Sequence, residues 1–82
     1  MAHIEVLLFA GLKAQFQSSR LIISTMTPIA VNDLIELIIS LRPDLSDYIS
    51  ASLVACNGQI AETSKMITDK DEVALLPPMS GG

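Results

Sequence analysis

A chain of 82 residues, half of them apolar, has room for one small domain and too little volume to hide its apolar content. Domains of this size bury only about 60% of the surface the unfolded polypeptide exposes, so an exposed apolar patch, the usual mark of a partner, is expected. Five basic residues scattered among nine acidic ones give a net charge of −4, which leaves nucleic-acid binding without an electrostatic footing and favours partners that are neutral or basic where they dock.

HIEVLLFA, residues 3–10, is β-branched and aromatic at its key positions and reads as a strand. Ile4, Val6, Leu8 and Ala10 fall on one face; Leu7 and Phe9 fall on the other with Glu5. Bulk on both faces predicts a central strand whose second face meets something, and Gly11 is expected to end it. The apolar run 6–10 is far too short to span a bilayer. Glu5 precedes it and no basic segment leads into it, so neither a signal peptide nor a membrane partner is expected. LKAQFQSS, residues 12–19, has room for a short helical turn, and RLIIST, residues 20–25, reads as the second strand of an antiparallel pair.

Pro28 precedes a helix. Val31, Leu34, Ile35, Ile38 and Leu41 fall at the spacing of one helical stripe. Asn32, Asp33 and Glu36 suit its N-terminal end, Arg42 closes its last turn and Pro43 stops it. DLSDYI, residues 44–49, can form one further turn. SLVAC and QIAE flank Asn57-Gly58, the dipeptide that tolerates the positive φ angles of a tight hairpin turn. TDKD, residues 68–71, is a polar turn, and EVALL, residues 72–76, is the last strand. The order β-β-α-β-β-β predicts an α+β domain, a five-stranded sheet gripping one main helix, over residues 1–76.

Few residues are candidates for chemistry. His3 and Cys56 are the only histidine and cysteine, which excludes an internal disulfide, a His–Cys metal cluster and a Ser–His–Asp triad. The lone thiol suits a reducing, cytoplasmic compartment. Cys56 alternates with Val54 and reads as a buried structural thiol. Asp69, Asp71 and Glu72 read as an acidic surface turn, since so short a sequence builds no cleft for a catalytic carboxylate pair.

The tail PPMSGG, residues 77–82, is different. Pro77 and Pro78 cannot donate to a ladder and hold the exit from the sheet in an extended path. From there to Gly82 the backbone reaches about 20 Å, at roughly 3.3 Å per residue. Met79 and Ser80 are slim enough to thread a groove. Gly81 and Gly82 lack a Cβ, so the backbone fits a channel too narrow for side chains. The reactive group is the unhindered carboxylate of Gly82, held out on a stiff spacer, as a carboxylate that another enzyme adenylates must be.

IEVLLFAGLK, VNDLIELI, VACNGQIAE and above all DKDEVALLPPMSGG resemble segments of the β-grasp, ubiquitin-like sulfur carriers. Within them the sequence is most similar to the small, sulfur-carrier subunit of molybdopterin synthase, and the Pro-Pro step separates it from thiamine-pathway carriers. The resemblance implies that an activating enzyme adenylates Gly82 with ATP, the domain itself holding no cofactor. A sulfur donor protein then leaves a thiocarboxylate, and the large synthase subunit catalyses sulfur transfer to a cyclic pyranopterin phosphate, in an assembly of two small and two large subunits. It also implies a docking patch of Phe9, Ile60 and Leu76 with Lys13 beside it, leading into Pro77, Pro78, Met79 and Ser80. The sequence departs from the pattern at Lys70, where the turn must accommodate a Cβ, at Ala30, where a helix cap is missing at a cost of about 1 kcal/mol, and at Ala14. A thiamine-pathway carrier, a protein modifier joined to lysines through Gly82, and a plain interaction domain are the alternative readings.

Overall fold

The computed structural model describes residues 1–78. Its elements are β1 (Ala2–Leu8), α1 (Ala10–Phe16), β2 (Arg20–Thr25), β3 (Ile29–Ala30), α2 (Val31–Leu41), a 3-10 turn (Pro43–Leu45), α3 (Ser46–Ser50), β4 (Leu53–Cys56), β5 (Gln59–Ile60), β6 (Met66–Ile67) and β7 (Val73–Leu76). Five strands form one mixed sheet in the order β2-β1-β7-β4-β5, with β1 and β7 parallel and the other pairs antiparallel. This is the expected β-grasp arrangement. A second, two-stranded sheet of β3 and β6 was not predicted.

Strand alternation builds the core. Ile4, Val6 and Leu8 of β1, Val73 and Leu75 of β7, and Val54 and Cys56 of β4 are all buried on the inner face. Val31, Leu34 and Ile38 of α2, Leu12 of α1, Ile49 of α3 and Ile67 of β6 close over them in one cluster. Each fully buried Val, Leu or Ile contributes about 1.5–3 kcal/mol relative to exposure. Leu41 departs from the predicted stripe and is 53% exposed, because it lies in the last turn of α2, beyond the core. Arg42 follows as the C-cap; it bonds Asp44 and the Gln15 carbonyl and lies over the Phe16 ring at 5.7 Å.

Two expectations about the first strand change. Ala10 does not share the inner face with Leu8. It is exposed, adopts φ 49° and opens α1. Gly11 does not break a strand; it lies inside α1, where a Cβ would collide with the Tyr48 hydroxyl, so glycine there admits α3 against α1. The expected helical turn is a full helix of seven residues.

Ala30 is the N-cap of α2, and its methyl group offers no capping oxygen. Two of the free N–H groups at this end are satisfied from elsewhere: Val31 donates to the Lys65 carbonyl and Asn32 to the Thr63 carbonyl, each at 2.9 Å. The loop before β6 thus supplies the cap that the sequence lacks, which offsets the expected loss. Lys70 keeps a negative φ, so its Cβ is accommodated without strain. No helix among the described residues is long and apolar enough to cross a membrane.

Candidate functional site

The helices pack on the inner face of the sheet, and among the described residues nothing covers the outer face. Strand register sets what that face presents. Leu7, Ala74, Ala55 and Ile60 form one row across β1, β7, β4 and β5. At about 4.8 Å per strand spacing the row spans roughly 14 Å. In the next row Leu53 lies opposite Leu76. Phe9, one residue past the Leu8–Leu75 pair, continues that row in extended backbone. The two alanines form a low floor and the bulky residues a rim. Phe9 is 47% exposed, Leu53 52% and Ile60 58%, while Leu7 and Leu76 are half-buried.

Phe9 is held at the edge of this trough by the switch from strand to helix. Its carbonyl accepts the first bonds of α1, from the Leu12 N–H at 3.1 Å and the Lys13 N–H at 3.4 Å. The positive φ of Ala10, a conformation that costs a residue with a Cβ free energy, turns the backbone immediately after it. Lys13 is exposed one helical turn further on. Phe9, Ile60 and Leu76 therefore lie on the same outer face, Phe9 and Leu76 in one row and Ile60 on the edge strand in the next, with Lys13 following Phe9. Leu53 was missed, although its signal was legible: if Val54 and Cys56 point inward on a strand, Leu53 points outward. Pro77 and Pro78 follow Leu76 directly and are half-buried. Met79, Ser80, Gly81 and Gly82 lie outside the described residues.

The opposite end of the outer face is polar. His3, Glu5, Asp69, Lys70, Asp71 and Glu72 line a shallow concavity there, with Leu7 at its inner margin. Glu5 is paired with Arg20 at 2.9 Å. Asp71 is occupied inside the fold: it accepts from the Thr68 N–H and the Asn57 side-chain amide, each at 2.9 Å. Those donors hold its carboxyl below the usual carboxylate range.

Asn57 is more than a turn residue. It has φ 53° and Gly58 φ 84°, as the predicted hairpin requires. Its side-chain oxygen also accepts from the Glu72 N–H, and its own N–H donates to the Glu72 carbonyl, both at 2.8 Å. The hairpin tip is thereby fastened to the residue that precedes β7. Cys56 is buried on the inner face, and burial pushes its thiol up, so it is not poised as a thiolate at neutral pH. Among the described residues no group of His, Cys, Asp and Glu is arranged to hold a metal ion.

A family model described as the ThiS family matches residues 6–82. No match was found among curated protein sequences. Among solved structures, SAMP1 from Haloferax volcanii is similar at 27% identity and a TM-score of 0.80, over 99% of this chain and all of that one. Small archaeal modifier protein 1 from Methanosarcina acetivorans is similar at 26% identity and a TM-score of 0.74, over all of this chain and 98% of that one. The complex of subunits 1 and 2 of the molybdopterin-converting factor from Helicobacter pylori contains a polypeptide similar at 22% identity, with a TM-score of 0.65 over 98% of this chain and 99% of that one.

Proposed function

Because the chain belongs to the ThiS family of ubiquitin-like sulfur carriers, we propose that it serves as the sulfur-carrier subunit of a molybdopterin synthase. In this reading the Gly82 carboxylate attacks the α-phosphate of ATP on an activating enzyme and releases pyrophosphate. A sulfur nucleophile from a donor protein then displaces AMP and leaves a thiocarboxylate. The loaded tail enters the large synthase subunit, whose residues catalyse transfer of the sulfur to a cyclic pyranopterin phosphate. Two transfers complete the dithiolene. The small domain contributes the atom and the docking surface, and ATP is held by the activating enzyme.

The observation that carries the reading is the apolar outer face running without interruption into Pro77-Pro78. Leu76 belongs to both, so seating the sheet on a partner delivers the tail to a fixed depth, with little freedom left to lose in the two prolines. Cys56, sealed and facing the core, is no rival carrier. The Pro-Pro step is the feature that favours a molybdopterin synthase over a thiamine-pathway enzyme as acceptor. The likeness to small archaeal modifier proteins supports a second reading, in which the same adenylate ends as an isopeptide bond to a lysine.

The test is the intact mass after incubation with an activating enzyme, ATP and a sulfur donor, beside a variant lacking Gly82. The expected result is a gain equal to one oxygen replaced by sulfur, absent from the control, and loss of that sulfur on adding the large subunit and cyclic pyranopterin phosphate. Sulfur loading without transfer to that acceptor removes the synthase assignment and keeps the carrier. No loading by an enzyme active on its own carrier removes both. Conjugates to lysine that vanish on deleting Gly82 establish the second reading.

A further inference from the structure

We propose that Asn57-Gly58 is a modification site, a spontaneously deamidating pair that the fold keeps closed by tying the Asn57 side group to Asp71 and Glu72. The reaction needs no catalyst. The Gly58 backbone nitrogen, having lost its proton, attacks Asn57 Cγ; a new C–N bond forms, the bond from Cγ to Nδ2 breaks and ammonia leaves. Water opens the resulting five-membered imide on either side, giving aspartate or its main-chain isomer at position 57.

Everything local favours that attack. Asn57 and Gly58 are both exposed, and apart from its two chain neighbours no residue comes within 4 Å of the space a Cβ on Gly58 would occupy, so no distant part of the fold crowds the glycine. Among the described residues, the Gly58 N–H donates to no backbone carbonyl outside the strand ladders. What opposes attack is long-range. The amide nitrogen donates to Asp71 Oδ1 at 2.9 Å and the amide oxygen accepts from the Glu72 N–H at 2.8 Å. The Asn57 N–H is bound to the Glu72 carbonyl at 2.8 Å. Cγ can swing onto the Gly58 nitrogen only after both side-group bonds break, which requires the start of β7 to part from the hairpin.

The products do not fit the site they leave. An aspartate at 57 sets its carboxylate against that of Asp71, across a contact now bridged by an N–H. The isomer adds a methylene to the backbone inside a turn that fixes the register of Ala55 with Ile60 and Cys56 with Gln59. Either product loosens the hairpin carrying Ile60 and the residue preceding β7. None of this depends on what the tail carries.

The experiment incubates the folded protein, a peptide of residues 52–62, Asp71→Ala and Asp71→Asn in mildly alkaline buffer. It follows the mass gain of one NH replaced by O at position 57, with the fold of each variant checked by circular dichroism. The folded protein is expected to react about tenfold or more slowly than the peptide. Asp71→Ala should approach the peptide's rate, and Asp71→Asn, which keeps one acceptor oxygen for Asn57, should recover part of the protection. If Asp71→Ala does not fold, the wild-type protein in denaturing urea takes its place and should match the peptide. Equal rates in the folded protein and the peptide, or in Asp71→Ala and the wild type, overturn the proposal. So does an Asn57→Asp variant that melts no lower than the wild type, because the product would then fit the clasp.

Discussion

The two faces of the five-stranded sheet are written by the same short segments and do different work. In LVAC, Val54 and Cys56 point into the core while Leu53 and Ala55 point away; in VALL, Val73 and Leu75 are buried while Ala74 and Leu76 are half-exposed. Residue type does not distinguish the faces, since Leu75 and Leu76 are chemically identical neighbours. Position does. The inner face is covered by the helices and sets stability, and among the described residues nothing covers the outer face, which has its bulk at the rim and its alanines at the centre.

The largest effect expected is the one that separates those neighbours. Leu75→Ala opens a cavity in a fully buried site and should cost about 3 kcal/mol. A domain of this length is stable by only about 4–12 kcal/mol, so urea denaturation should register a severe loss. Leu76→Ala should stay within about 1 kcal/mol of the wild type in the same assay. If both substitutions cost alike, the outer face is covered by something that belongs to the fold, and its role in docking is lost.

Phe9 sharpens the comparison from the other side. Truncating a half-exposed aromatic at the rim should leave the melting temperature almost unmoved. Binding to the proposed partner, a large synthase subunit, should nevertheless weaken by about 2 kcal/mol, or roughly thirtyfold, as for an anchor residue. Leu53→Ala is expected to show the same pattern more weakly, measured by titration calorimetry with the same partner. A loss of stability without a loss of affinity at either position would return that residue to the core.

Cys56 lies on the inner side, where its side chain is buried in the core cluster. Cys56→Ala should cost about 1 kcal/mol through the small void it leaves. Sulfur loading at Gly82 should proceed unchanged by intact mass. Loading that depends on Cys56 would mean that the inner face opens during the cycle.

How much of this was legible depended on the range over which each signal acts. The five sheet strands were readable because alternation is local, and the hairpin because Asn57-Gly58 announces its own φ angles. The β3–β6 sheet was not, since Ile29–Ala30 and Met66–Ile67 are two residues each and show no period. Gly11 looked like a strand breaker because its reason, the Tyr48 hydroxyl, lies 37 positions away in the sequence. Ala30 looked like a missing cap because the carbonyls that replace it come from Thr63 and Lys65. The ties from Asn57 to Asp71 and Glu72 were invisible for the same reason. Of the outer face, Phe9, Ile60 and Leu76 were named through the family resemblance, whereas Leu53 required the alternation around Cys56 to be followed one residue further.

The smallest prediction asks whether the acidic end of the outer face belongs to docking or to the fold. Asp71 is bound by uncharged N–H groups of Thr68 and Asn57, which hold its carboxyl below the value near 3.8 that it has when unfolded. Asp44 is lowered too, first by its hydrogen bond to Arg42 and also by that residue's charge. A carboxyl depressed by folding contributes stability that is fully present above its unfolded value and is lost as pH falls through the folded one. The urea midpoint should therefore decline below about pH 4 as both groups gain protons. Asp71→Asn should remove part of that decline and Asp44→Asn another part. Salt separates them further, because screening weakens an exposed ion pair and leaves a bond to a backbone amide largely intact. At high ionic strength the part of the slope owed to Asp44 should shrink and the part owed to Asp71 should persist. A slope that Asp71→Asn leaves untouched would show that Asp71 does not fasten the hairpin, and would free it to meet a partner with the rest of the acidic end.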